Sequence, residues 1–373
     1  MSGVRPGGPA KCGARVRHPF IEGTSLTRRQ TVACAEVLMS PSYLPSLVLR
    51  EYLHTVATLH PQLREVLDFE RPGAAAALAE LAATVSEFDT DSTGRGDSYR
   101  RAQRDTLVRW TGMRQLLELA APAGSEPVTL ILDVLGGDGT VARAASSQSA
   151  CFESKLAFIT GDLSGHMVDK ALAHGLPAVR QAAHFLFLRD ASLDAVLLAY
   201  GTHHIPARQR PLAVGEAARV VRPGGRIVLH DFDESSPMAG FFAEVVHSHA
   251  SGGHDYQHFS RAELASLFAQ ADLPVRIVDL YDPLIVRADT AQSACARIRD
   301  YVGDMYGVRE FFATLSDDEV WRLLTHHFDH TGYLAALGGR DGIPARPVVY
   351  RADGQFVAEV PRMAIVAVAT RAA

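Results

Sequence analysis

Two short stretches carry residue types able to hold a ligand that is anionic at one end and bears a sugar at the other. In Leu130-Ile131-Leu132-Asp133-Val134-Leu135-Gly136-Gly137-Asp138-Gly139-Thr140 an apolar run meets a glycine-rich bend. Glycines let the backbone approach a ligand closely, and a helix opening after Gly139 presents free N–H groups to an anion. Downstream, Ile159-Thr160-Gly161-Asp162-Leu163-Ser164 ends a second apolar run on a carboxylate. An acid at the end of such a strand can grip a ribose diol through two hydrogen bonds. Gly137-x-Gly139-x-x-Ala142, with Asp162 roughly twenty residues on, also satisfies the dinucleotide fingerprint. The bend alone therefore leaves two cofactor classes open.

Histidines form the second chemical feature. The chain holds sixteen. His203 and His204, His230, and then His247, His249, His254 and His258 fall in the stretch where an acceptor would sit beside such a cofactor. An imidazole can take a proton from a phenol or alcohol near neutral pH. Gly252-Gly253-His254-Asp255-Tyr256-Gln257-His258-Phe259 is polar and flanked by glycine, and loops of this kind carry function. No packing period explains its histidine spacing; helix capping and loop hydrogen bonds are the plain alternative. His204, His254 and His258 are the candidate catalytic bases. His326 and His330 fall on one face of a predicted helix, and His254 with His258 have similar spacing, a pattern that metal sites also use. No acid-rich ligand set accompanies them, and the sequence assigns no metal.

The elements that position these residues follow from periodicity. From about Ser25 to Ala121 the spacing is helical, with an Ala/Leu-rich run over Ala74–Val85, a polar break over Asp89–Gly96 and a helix predicted from Ser98 to Ala120. From Pro127 short β-rich runs alternate with helices. Strands are predicted at Val128–Val134, Leu156–Thr160, Ala178–Ala183, Ala195–Ala199 and Arg226–Asp231, the last after an Arg222-Pro223-Gly224-Gly225 turn. That alternation implies a mainly parallel, doubly wound sheet. After a helix over Arg261–Ala271, Val275–Val286 reads as one more strand and Met363–Thr370 as the last, the two able to pair as an antiparallel edge hairpin.

The predicted organisation is thus a disordered tail over 1–20 and an N-terminal helical lobe over 21–122. A Rossmann-like α/β core follows over 123–288 and 346–373, and a helical insertion over 289–345 reads as a substrate lid. The 47% hydrophobic and 21% charged content is ordinary for a soluble protein. A net charge of −5 gives no electrostatic footprint for nucleic acid or an anionic membrane, so neither is expected as a partner. The four cysteines, Cys12, Cys34, Cys151 and Cys295, form no CxxC pair, which fits a reducing cytoplasm. No run approaches the ~18 apolar residues of a membrane span, and Met1–Lys11 lacks the apolar stretch of a signal peptide. A homodimer is left open.

The glycine bend is joined by Asp190-Ala191-Ser192-Leu193-Asp194-Ala195-Val196, by Ala199-Tyr200-Gly201-Thr202-His203-His204-Ile205-Pro206 and by Glu216 through Arg226, in that order. Together they resemble class I S-adenosylmethionine-dependent methyltransferases acting on small molecules, over roughly residues 125–285 plus the last strand. The resemblance implies S-adenosylmethionine as cofactor. It places Asp133, Gly136, Gly137 and Gly139 around the methionine end, Asp162 with Leu163 on the ribose, and Tyr200 and Gly201 where cofactor and substrate meet. Two positions depart from the family pattern: Leu135 stands for the first glycine, and the adenine-binding acid falls at about Ala182, so Gln181 or backbone groups must serve there. The His203-His204 pair is frequent at this place in the family without a catalytic role.

The layout is also similar to tyrosine C-methyltransferases of saframycin-type antibiotic biosynthesis. That likeness implies methylation of a ring carbon beside a phenol, with a histidine as base. O-methylation of a phenol or hydroxyl, and a non-methylating cyclase or binding module on the same fold, are the alternatives.

Overall fold

The computed structural model describes residues 42–90, 92, 94–122 and 128–372. The expected tail, the start of the helical lobe, Cys12, Cys34 and the boundary at Pro127 lie outside the described residues. Seven strands form the main sheet: β1 (Val128–Asp133), β2 (Lys155–Asp162), β3 (Ala178–Arg180), β4 (Leu193–Leu198), β5 (Val221–Asp231), β6 (Val275–Tyr281) and β10 (Met363–Thr370). Their order is β3-β2-β1-β4-β5-β10-β6. β1 to β5 run parallel, and β10 runs antiparallel to both β5 and β6. The predicted edge hairpin is corrected in one respect: β10 sits between β5 and β6. Its residues Met363–Ala369 are all buried, as an uninterrupted apolar strand must be when covered on both faces.

Alternation along the strands divides two cores. Leu132, Val196, Leu198, Ile227 and Leu229 face one side with Tyr52, Leu63 and Phe187. Ile131, Ala195, Leu197, Val228 and Val366 face the other, where the helix Trp110–Ala120 lays down Met113, Leu116, Leu117 and Ala120 at helical spacing. That helix is a layer of the sheet and not part of a separate lobe. The single helix predicted over Ser98–Ala120 is in fact two, Gly96–Ala102 and Trp110–Ala120. Between them the buried Arg109 donates to Gln103 Oε1 at 2.7 Å, and Arg143 donates to the Gln103 carbonyl at 3.1 Å. A straight helix would leave these buried polar groups apart.

The strand predicted over Val275–Val286 is likewise two. β6 ends at Tyr281, the chain turns at Asp282-Pro283, and β7 (Leu284–Ala288) joins a second sheet of order β7-β9-β8, with β8 over Val348–Ala352 and β9 over Gln355–Val360. Proline removes a ladder donor and biases the residue before it, so a break there is expected. β8 and β9 were not predicted, and they place 284–288 and 348–360 in this small sheet, away from the main one. Asp353-Gly354, both at positive φ, forms their two-residue hairpin turn.

The insertion carries the helices Ala291–Tyr306, Arg309–Ala313, Asp317–His327 and Thr331–Ala336. Ile298, Tyr301, Val302 and Met305 pack in a third core with Phe241, Phe242 and Val246 from the segment after β5 and with Val286 and Val360 of the small sheet. Ala102 and Val108 join it from the N-terminal side. No helix among the described residues is long and apolar enough to cross a membrane.

Candidate active site

Asp133 closes β1, and the chain bends over 134–139 before the helix Thr140–Ser147. Gly137 and Gly139 sit at φ +58° and +84°, backbone that favours glycine. A Cβ at Gly136 would lie 2.8 Å from Thr160 Cγ2, and one at Gly139 would run into Leu176, so both stay bare to let the bend lie on β2. The Gly136 N–H donates to the Gly161 carbonyl at 2.8 Å. Asp162, at the end of β2, accepts from the Gly137 N–H at 2.9 Å and from the Ser164 N–H at 2.8 Å. Burial pushes its carboxyl up to about 6 against those amide bonds. Asp133 lies behind the bend with Oδ2 unpartnered; burial and the nearby Asp162 push it up to about 7, Arg109 opposing.

A cavity of about 340 Å³ opens over this corner of the sheet. Leu135, Gly137, Asp162 and Leu163 line one part, Gln181, Ala182 and Phe185 another, and Tyr200, Gly201 and His204 a third. Gln181 is buried; its Oε1 accepts from the Phe187 N–H at 3.0 Å, while its Nε2 has no partner. A buried amide donor left open in a cavity wall calls for an acceptor on a ligand. Tyr200 and Gly201 take left-handed backbone, φ +59° and +137°, just past β4. Tyr200 donates its hydroxyl to Asp282 at 3.2 Å and lies under the buried Arg109, 4.4 Å from its ring centroid.

Beyond Tyr200 and Gly201 a smaller hollow of about 50 Å³ is lined by Arg95, Arg109, His203, His204, His230, Asp231, Tyr306 and Arg362, among others. The histidines reach it from separate elements. Thr202–His204 forms a tight turn pinned to β5, Thr202 donating to the His230 carbonyl at 2.9 Å and the His203 N–H to Asp231 at 2.7 Å. Buried Arg210 ties that turn, through the Ile205 carbonyl, to the segment carrying His258, through the Gln257 carbonyl, and covers the Phe259 ring. The result is a cluster of imidazoles. His203 lies 4.5 Å from both His204 and His258, and 5.1 Å from His254, between ring centroids.

Each imidazole has its own surroundings. Nδ1 of His203 lies 3.0 Å from both Asp231 oxygens, and Nδ1 of His258 lies 3.3 Å from Oδ1. His204 Nδ1 meets Glu87 Oε1 at 2.6 Å, while its Nε2 faces Arg95 Nη2 at 3.1 Å. His254 stacks on Phe242 at 4.3 Å, with neither nitrogen partnered. Burial pushes the imidazoles toward the neutral form: His203 down to about 3 in spite of Asp231, and His204 and His254 down as well. Burial disfavours the Glu87 carboxylate, yet His204, Arg95 and Tyr256 overcome it and hold the group at about 2.

Of the cofactor residues expected from sequence, Gly137, Asp162, Leu163, Gln181, Ala182, Tyr200 and Gly201 line the larger cavity, and Asp133, Gly136 and Gly139 shape the bend behind it. His204 lines both spaces; His254 and His258 are buried against it and against His203. His326 and His330 do not share a helix face: the helix ends at His327, His326 is exposed, and His330 is buried with Nδ1 on the Phe328 carbonyl. Glu87, Arg95, Tyr99 and Arg109 were not singled out in the sequence. Only Arg95 falls in the polar break over Asp89–Gly96, and the break singles out no residue within it.

Residues 132–229 match the family model described as a methyltransferase domain. The strand order above, with its antiparallel β10, is Rossmann-like, and the matched residues run from β1 into β5. The ubiquinone/menaquinone biosynthesis C-methyltransferase UbiE of Brucella anthropi is 29% identical over 155 residues, 40% of this chain and 54% of that protein. Its counterpart in Bradyrhizobium diazoefficiens is 34% identical over 153 residues, 40% and 56%. The chain thus spans about half the length of the curated relatives it matches. Among solved structures, phosphoethanolamine N-methyltransferase 2 of Haemonchus contortus, in complex with S-adenosyl-L-methionine, is 14% identical, with a TM-score of 0.45 over 78% of this chain and 61% of that one.

Proposed function

We propose that the chain is a methyltransferase that uses S-adenosylmethionine and methylates a ring carbon of a small phenolic, tyrosine-like acceptor, with His204 as general base. The observation that carries this reading is the Glu87–His204 pair, set where the cofactor-sized cavity meets the hollow. The cavity residues suit the cofactor. Asp162 offers a carboxylate to the ribose hydroxyls, the bare bend at Gly137 leaves room for the methionine end, and the open Nε2 of Gln181 can donate to an adenine ring nitrogen. When bound, S-adenosylmethionine supplies an electrophilic methyl group on a sulfonium centre.

The chain's own residues do the rest. The Glu87 carboxylate, 2.6 Å from His204 Nδ1, favours the proton on that nitrogen and so makes Nε2 the basic one. In the empty site Nε2 accepts from Arg95 Nη2; as the phenol enters, that guanidinium, itself paired with Glu87 through Nε, turns to the phenol oxygen and balances the phenolate, and Nε2 takes the proton. Charge spreads to the carbon beside the phenol, which becomes the nucleophile. After transfer the proton on that carbon leaves to His254, whose nitrogens are open. His258, held on Asp231, fixes the wall behind His203. Tyr306 and Met305 of the insertion line the hollow and, with substrate bound, keep water from the reacting pair. The relatives from Brucella and Bradyrhizobium are named as C-methyltransferases, which accords with carbon as the acceptor atom.

The test is incubation with methyl-¹³C S-adenosylmethionine and a panel of phenolic amino acids, read by NMR of the product. Label on a ring carbon is expected. Label in an ether would replace the reading by O-methylation, and no transfer across the panel would favour a non-methylating use of the fold.

A further inference from the structure

We propose that His203, Asp231 and His258 form a binding site for one divalent first-row transition-metal cation, open toward the small hollow. This rests on the side-chain cluster and not on the methyl-transfer reading. One nitrogen or oxygen from each of the three residues falls within 4.8 Å of the others, and all three residues are buried.

Three observations carry the assignment. Asp231 is 1% exposed, yet among the described residues no lysine or arginine pairs with it; its oxygens meet only backbone amides and the two imidazoles. A buried carboxylate without a cationic partner is costly, and a divalent ion supplies the missing charge. The spacing also fits. The Nδ1 atoms stand 3.0 and 3.3 Å from Asp231 Oδ1. Neighbouring ligands around an ion with bonds of about 2.1 Å stand about 3.0–3.4 Å apart. Finally, Nε2 of both His203 and His258 is buried without a partner, so Asp231 alone decides which nitrogen of each ring carries the proton, and an ion can take the place of the proton between each Nδ1 and the carboxylate.

Two histidines and one carboxylate on one side of an ion leave the remaining positions open, the donor set that suits iron(II), cobalt(II) or zinc. Here the open side is the hollow, because His203 and Asp231 both line it. A second grouping, His203 with His204 and His254, also falls within reach of one ion. There the Arg95 guanidinium already stands 3.1 Å from His204 Nε2, so a positive charge holds that place.

Chelator-treated protein titrated with cobalt(II), followed by visible absorption and by calorimetry with zinc, tests the site without any turnover. One equivalent per chain with micromolar or tighter affinity is expected, weakened at least 100-fold by Asp231→Asn and by His258→Gln and unchanged by His326→Ala. Proton NMR of the cobalt(II) form of the native chain should show two hyperfine-shifted, exchangeable imidazole N–H signals. This second reading holds even where a variant fails to fold. No saturable binding, binding that both variants leave intact, or no shifted N–H signal would each overturn the proposal.

Discussion

Glu87 Oε1 lies 2.6 Å from Nδ1 of His204, joining a loop of the N-terminal helical region to the turn that follows β4. This contact couples two parts of the chain that the sequence reading kept apart. The carboxylate's charge favours a proton on Nδ1 of the imidazole, while Nε2 faces Arg95. Replacing Glu87 by Gln keeps the shape and removes the charge that favours a proton on Nδ1. The expected outcome is a fall in kcat of about 10- to 100-fold with the affinity for S-adenosylmethionine little changed. Steady-state kinetics beside cofactor calorimetry reads both, and an unaltered kcat would remove His204 from the role of base.

Asp162 has two duties, and a pair of substitutions separates them. Its carboxylate holds the Gly137 and Ser164 N–H groups and also faces the cavity. Asp162→Ala loses both, whereas Asp162→Asn keeps one acceptor oxygen. Charge-assisted hydrogen bonds contribute about 1.5–3 kcal/mol each. Cofactor affinity should therefore drop about 10- to 100-fold or more in Asp162→Ala, with a lower melting temperature, and less in Asp162→Asn. Wild-type affinity in both variants would rule out the ribose assignment.

How far the sequence could be read follows from where each signal resides. The bend at Gly136–Gly139 and the acid at Asp162 were legible because glycine backbone freedom and a strand-terminal carboxylate are local properties. β10 was legible as a strand but not as a central one, since placement between β5 and β6 depends on pairing across the sheet. The break at Asp282-Pro283 and the Asp353-Gly354 hairpin were written in turn-forming residues and were passed over. Glu87, Arg95 and Arg109 carry no local signature, because each acquires its meaning only from a tertiary partner: His204, again His204, and Tyr200. The histidine spacing drew attention to His254 and His258, but not to Asp231 as the anchor of His203 and His258.

The insertion is packed more deeply than a detachable lid. Tyr301, Met305 and Tyr306 share a core with Phe241 and Phe242, which lead out of β5. Phe241 is fully buried, 4.8 Å from Phe328 between ring centroids. Phe241→Ala should cost about 3–5 kcal/mol, read as an earlier midpoint in urea. Deleting 289–345 should leave the chain insoluble; a soluble, cooperatively folding core after that deletion would show instead that the insertion is an independent cover.

The last prediction concerns Asp133 and the pH dependence of stability without cofactor. Burial, with Asp162 nearby, lifts its carboxyl from the ordinary 3.8 to about 7, Arg109 opposing. Between those values the folded chain binds more proton than the unfolded one, so stability is fullest below pH 3.8 as far as this group is concerned and is lost as pH rises through 7. At about 1.4 kcal/mol per pH unit, the loss by pH 8 is on the order of 2–4 kcal/mol. Asp133→Asn cannot ionise. The variant should therefore be more stable than wild type at pH 8, while the two converge toward pH 4. Asp162, lifted in the same direction to about 6, retains its own slope in both proteins. Melting temperatures across pH 4–8 compare the curves directly: a gap that widens with pH supports the buried, proton-holding Asp133, and parallel curves dismiss it.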